Sequence, residues 1–101
     1  MISLINYEEF GSNMGFKSMR ESFEAAPYEG QEKIASYLDN GVQTYVKISR
    51  GKDVFTGEWI PGAYIGMTDG EYSWNSGLPY YVRKYNLRLP EAFEKKVLSM
   101  N

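Results

Sequence analysis

The chain has 101 residues and contains no histidine and no cysteine, whereas it contains nine Tyr, five Phe and two Trp. This inventory excludes disulfides, cysteine nucleophiles, metal sites with cysteine or histidine ligands, and every catalytic triad that uses histidine. Eleven basic residues against thirteen acidic residues give a formal net charge of −2, so no overall positive field attracts nucleic acid or anionic lipid.

The N-terminal part of the chain is predicted to be helical. A first helix begins at Asn6, because Asn6 and Glu9 have the spacing of a capping box. A second helix is predicted over residues 16–25, and a third over residues 30–39, where the Asn-Gly pair at Gly41 supplies a stop signal. The apolar stripe of this third helix consists of Ile34, Tyr37 and Leu38.

Alternating side chains and frequent glycines predict antiparallel strands between about residues 42 and 74. The first strand is expected over residues 42–49 and a short return strand at residues 54–55, before a run of glycine and proline. The core side of the first strand would hold Val42, Thr44, Val46 and Ile48.

A hairpin over residues 63–74 is the strongest local signal, because Asp69-Gly70 is typical of a two-residue turn with positive φ. A turn of that length places Met67 opposite Tyr72 and Ile65 opposite Trp74. These four side chains are therefore predicted to share the core face of the hairpin.

Two helices are predicted after the strands. The first covers residues 78–85, with Pro79 in a first turn that needs no backbone donor. The second begins at Pro90 and carries early glutamates and late lysines, as the helix dipole favours. Their inward stripes would be Leu78, Tyr81, Val82 and Tyr85 in the first, and Phe93, Val97 and Met100 in the second.

The order of elements predicts the α+β class. N-terminal helices, a three- to four-stranded antiparallel meander and two C-terminal helices would form a single layer of helices on one sheet. A chain of this length is too short to divide its core, so residues 1–101 are expected to form a single compact domain. It lacks a membrane-spanning stretch and a secretion signal, so we expect a soluble cytoplasmic protein with no membrane partner.

The sequence gives little support to catalysis. No glycine-rich phosphate loop or calcium loop is present, and the close carboxylate pairs lie at helix starts or on polar helix faces. We therefore expect no cofactor, no metal site and no enzymatic activity. An enzyme built on Glu58 or Asp69 with a tyrosine is the weakest of three hypotheses.

Aromatic and basic residues are mixed around the predicted helix 78–85. Tyr80, Arg83 and Lys84 are predicted to face away from its apolar stripe, and Arg88 follows the helix. Stacking aromatics beside cations are typical of single-stranded nucleic-acid binding, which makes nucleic-acid binding the second hypothesis. The alternative interpretation is a solvated helix face, because no known nucleic-acid-binding signature accompanies these residues.

The remaining aromatic residues lead to the first hypothesis. Tyr45, Trp59 and Tyr64 are not explained by the predicted core stripes, and tyrosine and tryptophan are enriched at protein interfaces. The leading expectation is a non-catalytic interaction, regulatory or inhibitor module that binds another protein or a second copy of itself. The predicted binding residues are Tyr45, Trp59, Tyr64, Tyr80, Arg83, Lys84 and Arg88.

Overall fold

A computed structural model of the chain describes residues 2–7, 9, 15–47, 51–61 and 64–100, with the backbone only at residues 45–47 and 64. Three α-helices and a four-stranded sheet make up the fold of this part, which is the expected α+β class. In chain order they are β1 (Ile2–Ser3), a 3-10 helix (Met19–Ser22), α1 (Gln31–Asp39), β2 (Val42–Lys47), β3 (Tyr64–Thr68), β4 (Tyr72–Asn75), α2 (Leu78–Tyr85) and α3 (Glu91–Leu98).

The sheet has the strand order β1-β4-β3-β2 and is mixed. Strands β2, β3 and β4 form the predicted antiparallel meander, but β1 lies parallel to β4 at the other edge. The backbone amide of Ile2 donates to Glu71 and that of Leu4 to Ser73, at 2.9 and 2.8 Å. The purely antiparallel prediction was therefore wrong, because the N-terminal segment satisfies backbone groups of β4 that would otherwise form an open edge.

The hairpin between β3 and β4 has a longer turn than predicted. Thr68 pairs with Ser73 and Met67 with Trp74, so the register differs by two residues from the two-residue turn. The carboxylate of Asp69 accepts from the backbone amides of Glu71 and Tyr72, and these bonds favour a four-residue turn over residues 69–72. A shift of two residues preserves the faces of the strands, so the side chains predicted for the core are buried at Met67, Tyr72 and Trp74 and half-buried at Ile65.

The three helices form at the predicted positions, and α1 and α3 contact the same face of the sheet. The indole of Trp74 donates to the carbonyl of Leu38 in α1 at 3.0 Å, and Phe93 of α3 contacts Tyr72 edge to face at 4.9 Å between ring centres. Helix α1 packs against both α2 and α3. The core side chains of the helices are Ile34, Ala35, Leu38, Leu78, Tyr81, Val82, Phe93 and Val97.

The first two predicted helices do not form where the structure describes them. Within residues 16–25 only the short 3-10 helix forms, because residues 22–24 bond to a distant segment instead of to one another. Glu24 donates to Asn86 and Arg88 donates to Ser22, at 3.1 and 2.7 Å. At the start of the first predicted helix, Asn6 is not helical, and the carboxylate of Glu9 accepts from the amide of Met19 at 2.7 Å. Residues 8 and 10–14 of that prediction lie outside the described part.

The first strand of the meander does not bury its predicted core face. Val42 is 68% exposed and Thr44 is exposed, because β2 is an edge strand of the described sheet and a register shift between Gln43 and Tyr45 interrupts its alternation. The side chain of Val46 and all of Ile48 lie outside the described part. Residues 54–55 form a turn and no return strand. None of the helices in the described ranges has the length and apolarity needed to cross a membrane.

Candidate functional site

Residues 51–61 form a compact loop on the outside of α2, which we call the clamped loop. Lys52 pairs with Trp59 in an antiparallel bridge, and the amide of Ile60 donates to Gly51 at 2.8 Å. Between them, Gly57 turns the chain with φ of 77° and donates to the carbonyl of Asp53 at 2.8 Å. The loop therefore has its own backbone bonds and does not depend on the sheet for them.

Asp53 fixes the clamped loop to α2, and its side chain is fully buried. One carboxylate oxygen, Oδ1, accepts from the amides of Phe55 and Thr56 at 2.8 and 3.2 Å. The other, Oδ2, accepts from three side chains of α2, which are the hydroxyls of Tyr80 and Tyr85 at 2.8 and 2.7 Å and the ammonium of Lys84 at 3.3 Å. We call this set of bonds the Asp53 clamp.

The donors around Asp53 keep it ionised. Burial alone would raise its pKa, but the hydrogen bonds from Tyr85, Phe55, Tyr80 and Lys84 outweigh burial and hold the pKa well below its ordinary value. Burial and the bond to Asp53 raise the pKa of Tyr85 to about 12. Because both carboxylate oxygens are occupied by donors, Asp53 is suited to holding the loop and poorly suited to taking a proton from a substrate.

A second attachment holds the loop through Phe55. Its ring contacts those of Phe23 and Tyr85 edge to face, at 5.4 and 5.2 Å between centres, and the guanidinium of Arg20 lies 4.7 Å from its centre. The hydroxyl of Tyr81 accepts from the amide of Val54 at 3.0 Å and donates to the loop's own carbonyl at Lys52. The clamped loop is thus fixed to α2 by a buried carboxylate, an aromatic side chain and a buried hydroxyl.

The same loop exposes apolar side chains. Trp59 is 53% exposed and Val54 is 42% exposed, and the other exposed residues of the loop include Lys52, Thr56, Glu58 and Pro61. The ammonium of Lys52 lies 4.6 Å from the centre of the Trp59 ring, which is a cation–π contact on the surface. The side chain of Glu58 is also well exposed. The loop thus combines an exposed tryptophan with a backbone that is held in place, and exposed apolar groups of this kind can mark interaction sites.

A cleft of about 400 Å³ lies between the end of the clamped loop and α2. Its walls include apolar groups from both sides and two cations of the helix. The main lining residues are Ile60, Pro61, Pro79, Tyr80, Arg83 and Lys84.

The structure brings together some of the predicted binding residues. Tyr80 and Lys84 lie beside the clamped loop that carries Trp59, but both turn toward Asp53 and Tyr80 is half-buried. Arg83 forms 2.8 Å ion pairs with Glu32 and Asp39. The predicted solvent-facing patch is therefore largely paired within the chain, because α1 and the loop lie against that face of α2.

Arg88 lies apart from this group. Its guanidinium binds the buried carboxylate of Glu94 at 2.6 Å and lies 4.2 Å from the ring centre of Tyr28. Tyr45 and Tyr64 belong to β2 and β3, and their side chains lie outside the described part. Trp59 is thus the predicted aromatic binding residue that the structure places on an exposed surface.

The two acids considered for catalysis have ordinary structural partners. Glu58 lies at the surface, 4.0 Å from Lys84. Asp69 accepts from Tyr37 and Lys96 at 2.6 and 2.8 Å, and both of its oxygens are occupied, as in Asp53. Among the described residues, no group of three or more metal-binding side chains is close enough to hold an ion.

The Asp53 clamp could not be predicted from the sequence. The carboxylate of Asp53 accepts from the amides two and three residues later, which is an Asx turn of the kind that aspartate commonly forms. Its bonds to α2 span about 30 residues of sequence, and no local pattern indicates them.

Comparisons of the chain with protein-family models, with curated proteins and with solved structures each returned no match. The function has to be argued from the site itself.

Proposed function

We propose that the protein is a non-catalytic protein-binding module and that the clamped loop is its recognition element. The observation that carries the proposal is the 53% exposure of Trp59 on a loop fixed from beneath by Asp53 and Phe55. Tryptophan is among the residues that most often dominate binding energy at protein interfaces. A loop that is already ordered loses little conformational entropy on binding, which favours affinity.

The chemistry of the site supports binding over catalysis. The buried carboxylates Asp53 and Asp69 each accept hydrogen bonds on both oxygens, so using either as a base would open the turn that it holds. The cleft beside α2 has apolar walls and paired cations, which suits a protein side chain.

Nucleic-acid binding has less support from the same residues. Arg83, Lys84 and Arg88, which carried that hypothesis, each form an ion pair with an acidic residue of the chain. Phosphate groups would have to compete with those carboxylates. The partner class that remains is another protein, including a second copy of this chain.

The proposal is tested by capture and by self-association with one pair of variants. Trp59→Ala removes the proposed contact residue, and Leu98→Ala is the matched control, because Leu98 is 43% exposed on α3. The full chain is used to capture proteins from cells of its source, and its own association is measured by size-exclusion chromatography. We expect a protein, or the chain itself, to bind wild type and Leu98→Ala alike and to bind Trp59→Ala about 30-fold more weakly.

Equal binding by Trp59→Ala and Leu98→Ala would contradict the proposal. So would the absence of any partner and of any self-association. Circular dichroism of both variants checks that the fold is retained, and we expect both to unfold within about 1.5 kcal/mol of wild type, since each side chain is about half exposed.

A further inference from the structure

We propose that the clamped loop binds an apolar pocket whose rim carries carboxylate groups, with Trp59 entering the pocket and Lys52 contacting the rim. This inference rests on the proposed protein-binding function and adds the chemistry of the partner. It depends on three observations. Lys52 lies beside Trp59, the cations of the C-terminal helices are paired with carboxylates, and Glu58 is exposed on the same loop.

Lys52 and Trp59 form one recognition unit. They face each other across the antiparallel bridge of the loop, both are exposed, and the ammonium lies 4.6 Å from the ring centre. An indole that enters a pocket would carry this ammonium to the edge of the pocket. A carboxylate at that edge would complement the charge, whereas a basic group there would repel it.

Lys52 differs from the cations of the two C-terminal helices and the segment between them. Within the described residues it has no carboxylate within ion-pair distance, and its exposed ammonium lies over the Trp59 ring. By contrast, the cations that have carboxylate partners are Arg83, Lys84, Arg88, Lys95 and Lys96. The positive charge left unneutralised beside the exposed indole is therefore available to an acidic partner.

A nucleic acid could also stack on Trp59 and contact Lys52, but the loop favours a protein. Glu58 is the neighbour of Trp59, and its side chain is 73% exposed on the same loop. A phosphate backbone that followed the loop would meet this carboxylate, whereas a protein pocket can place a donor opposite it. A rim with separate acidic and donor groups suits both Lys52 and Glu58.

The test measures the partner identified by Trp59-dependent capture against variants of the full chain. Lys52→Glu reverses the proposed charge, and Lys52→Arg keeps it. Lys33→Glu is the matched control, because Lys33 is exposed on α1 and the change alters net charge by the same amount. At low salt we expect Lys52→Glu to bind about tenfold more weakly, Lys52→Arg to bind like wild type, and the loss to shrink at about 0.5 M salt.

The outcomes separate this inference from the proposed function. If Trp59→Ala binds as well as Leu98→Ala, the proposed function is wrong, and this inference is wrong with it. If Trp59 matters but Lys52→Glu and Lys33→Glu have equal effects, only the acidic rim is wrong. A fluorescent single-stranded oligo-dT probe is titrated in parallel, and binding that Trp59→Ala abolishes would overturn the protein partner in favour of nucleic acid.

Discussion

Two turns of this protein are held by the same device, a buried aspartate, and yet they present different surfaces. In each turn, Oδ1 of the aspartate accepts from the amides two and three residues later. In each, Oδ2 accepts hydrogen bonds from tyrosine and lysine side chains of the helices. For Asp53 these partners belong to α2 alone, whereas for Asp69 they are Tyr37 of α1 and Lys96 of α3.

The difference lies in what each aspartate connects. Asp69 joins the β3–β4 turn to two helices, next to the buried rings of Tyr72 and Phe93, so it closes the core. Asp53 joins a peripheral loop to one helix, and that loop exposes Trp59. The same bonds therefore stabilise the fold in one turn and hold a surface residue in place in the other. Three experiments test what the two aspartates share and how their roles differ.

Acid has the largest expected effect, because it protonates both aspartates. The pKa of Asp69, like that of Asp53, lies well below its ordinary value, because the bonds from Lys96, Tyr37, Tyr72 and Glu71 outweigh its burial. The unfolded chain therefore takes up protons first as the pH falls, and stability is lost on the acid side. We expect the free energy of unfolding to hold down to about pH 5 and then to fall by roughly 4 kcal/mol toward pH 2.

Urea titrations at a series of pH values check this expectation. The control is the double variant Asp53→Asn, Asp69→Asn, which lacks both carboxylates and whose stability should depend less on pH between about 5 and 2. An equally steep loss in the double variant would mean that other carboxylates account for acid unfolding.

Single replacements have the next largest effect and should differ in kind. Asp69→Asn is expected to lower the free energy of unfolding by about 2 to 3 kcal/mol, because it weakens charged hydrogen bonds that join three elements. Asp53→Asn should cost about 1 to 2 kcal/mol, since the loop can open without the core. Amide hydrogen exchange should then accelerate at Phe55 and Thr56 in Asp53→Asn, with little change at Tyr72.

Equal global destabilisation by the two asparagine variants, with unchanged exchange in the clamped loop, would contradict this distinction. Thermal unfolding followed by circular dichroism measures the loss of global stability. Amide exchange measured by NMR reports the local opening of the clamped loop.

Much of the fold could be predicted because its signals are local. Helix α2 has an apolar stripe and Pro79 in its first turn, and β2 to β4 have alternation and turn residues. The errors arose where distant segments supplied the bonds. Residues 22–24 pair with residues 86–88 instead of forming a helix, and β1 pairs with β4 about 70 residues later. Helix propensity at the N-terminus was too weak to compete with those contacts.

The candidate site was only partly predictable for the same reason. Trp59 could be selected because no core stripe explained it, and the structure shows it 53% exposed. Tyr80 and Lys84 were assigned to a solvent-facing side of α2, since helical periodicity identifies the side opposite the core but not the loop that covers it. Asp53 lies in that loop, so its part in the site became visible only once the loop and the helix were placed together.

The smallest expected effects come from removing one tyrosine hydroxyl at each aspartate. Tyr37 is the only tyrosine of the described residues whose hydroxyl donates to Asp69, whereas both Tyr80 and Tyr85 donate to Asp53. Tyr37→Phe should therefore cost about 1 to 1.5 kcal/mol and Tyr85→Phe about 0.5 to 1 kcal/mol, as measured by urea unfolding. Phenylalanine keeps the ring packing at both positions, so each variant measures the loss of the hydroxyl group alone. A cost for Tyr85→Phe as large as that for Tyr37→Phe would show that Tyr80 does not compensate, and that each donor of the Asp53 clamp contributes separately to stability.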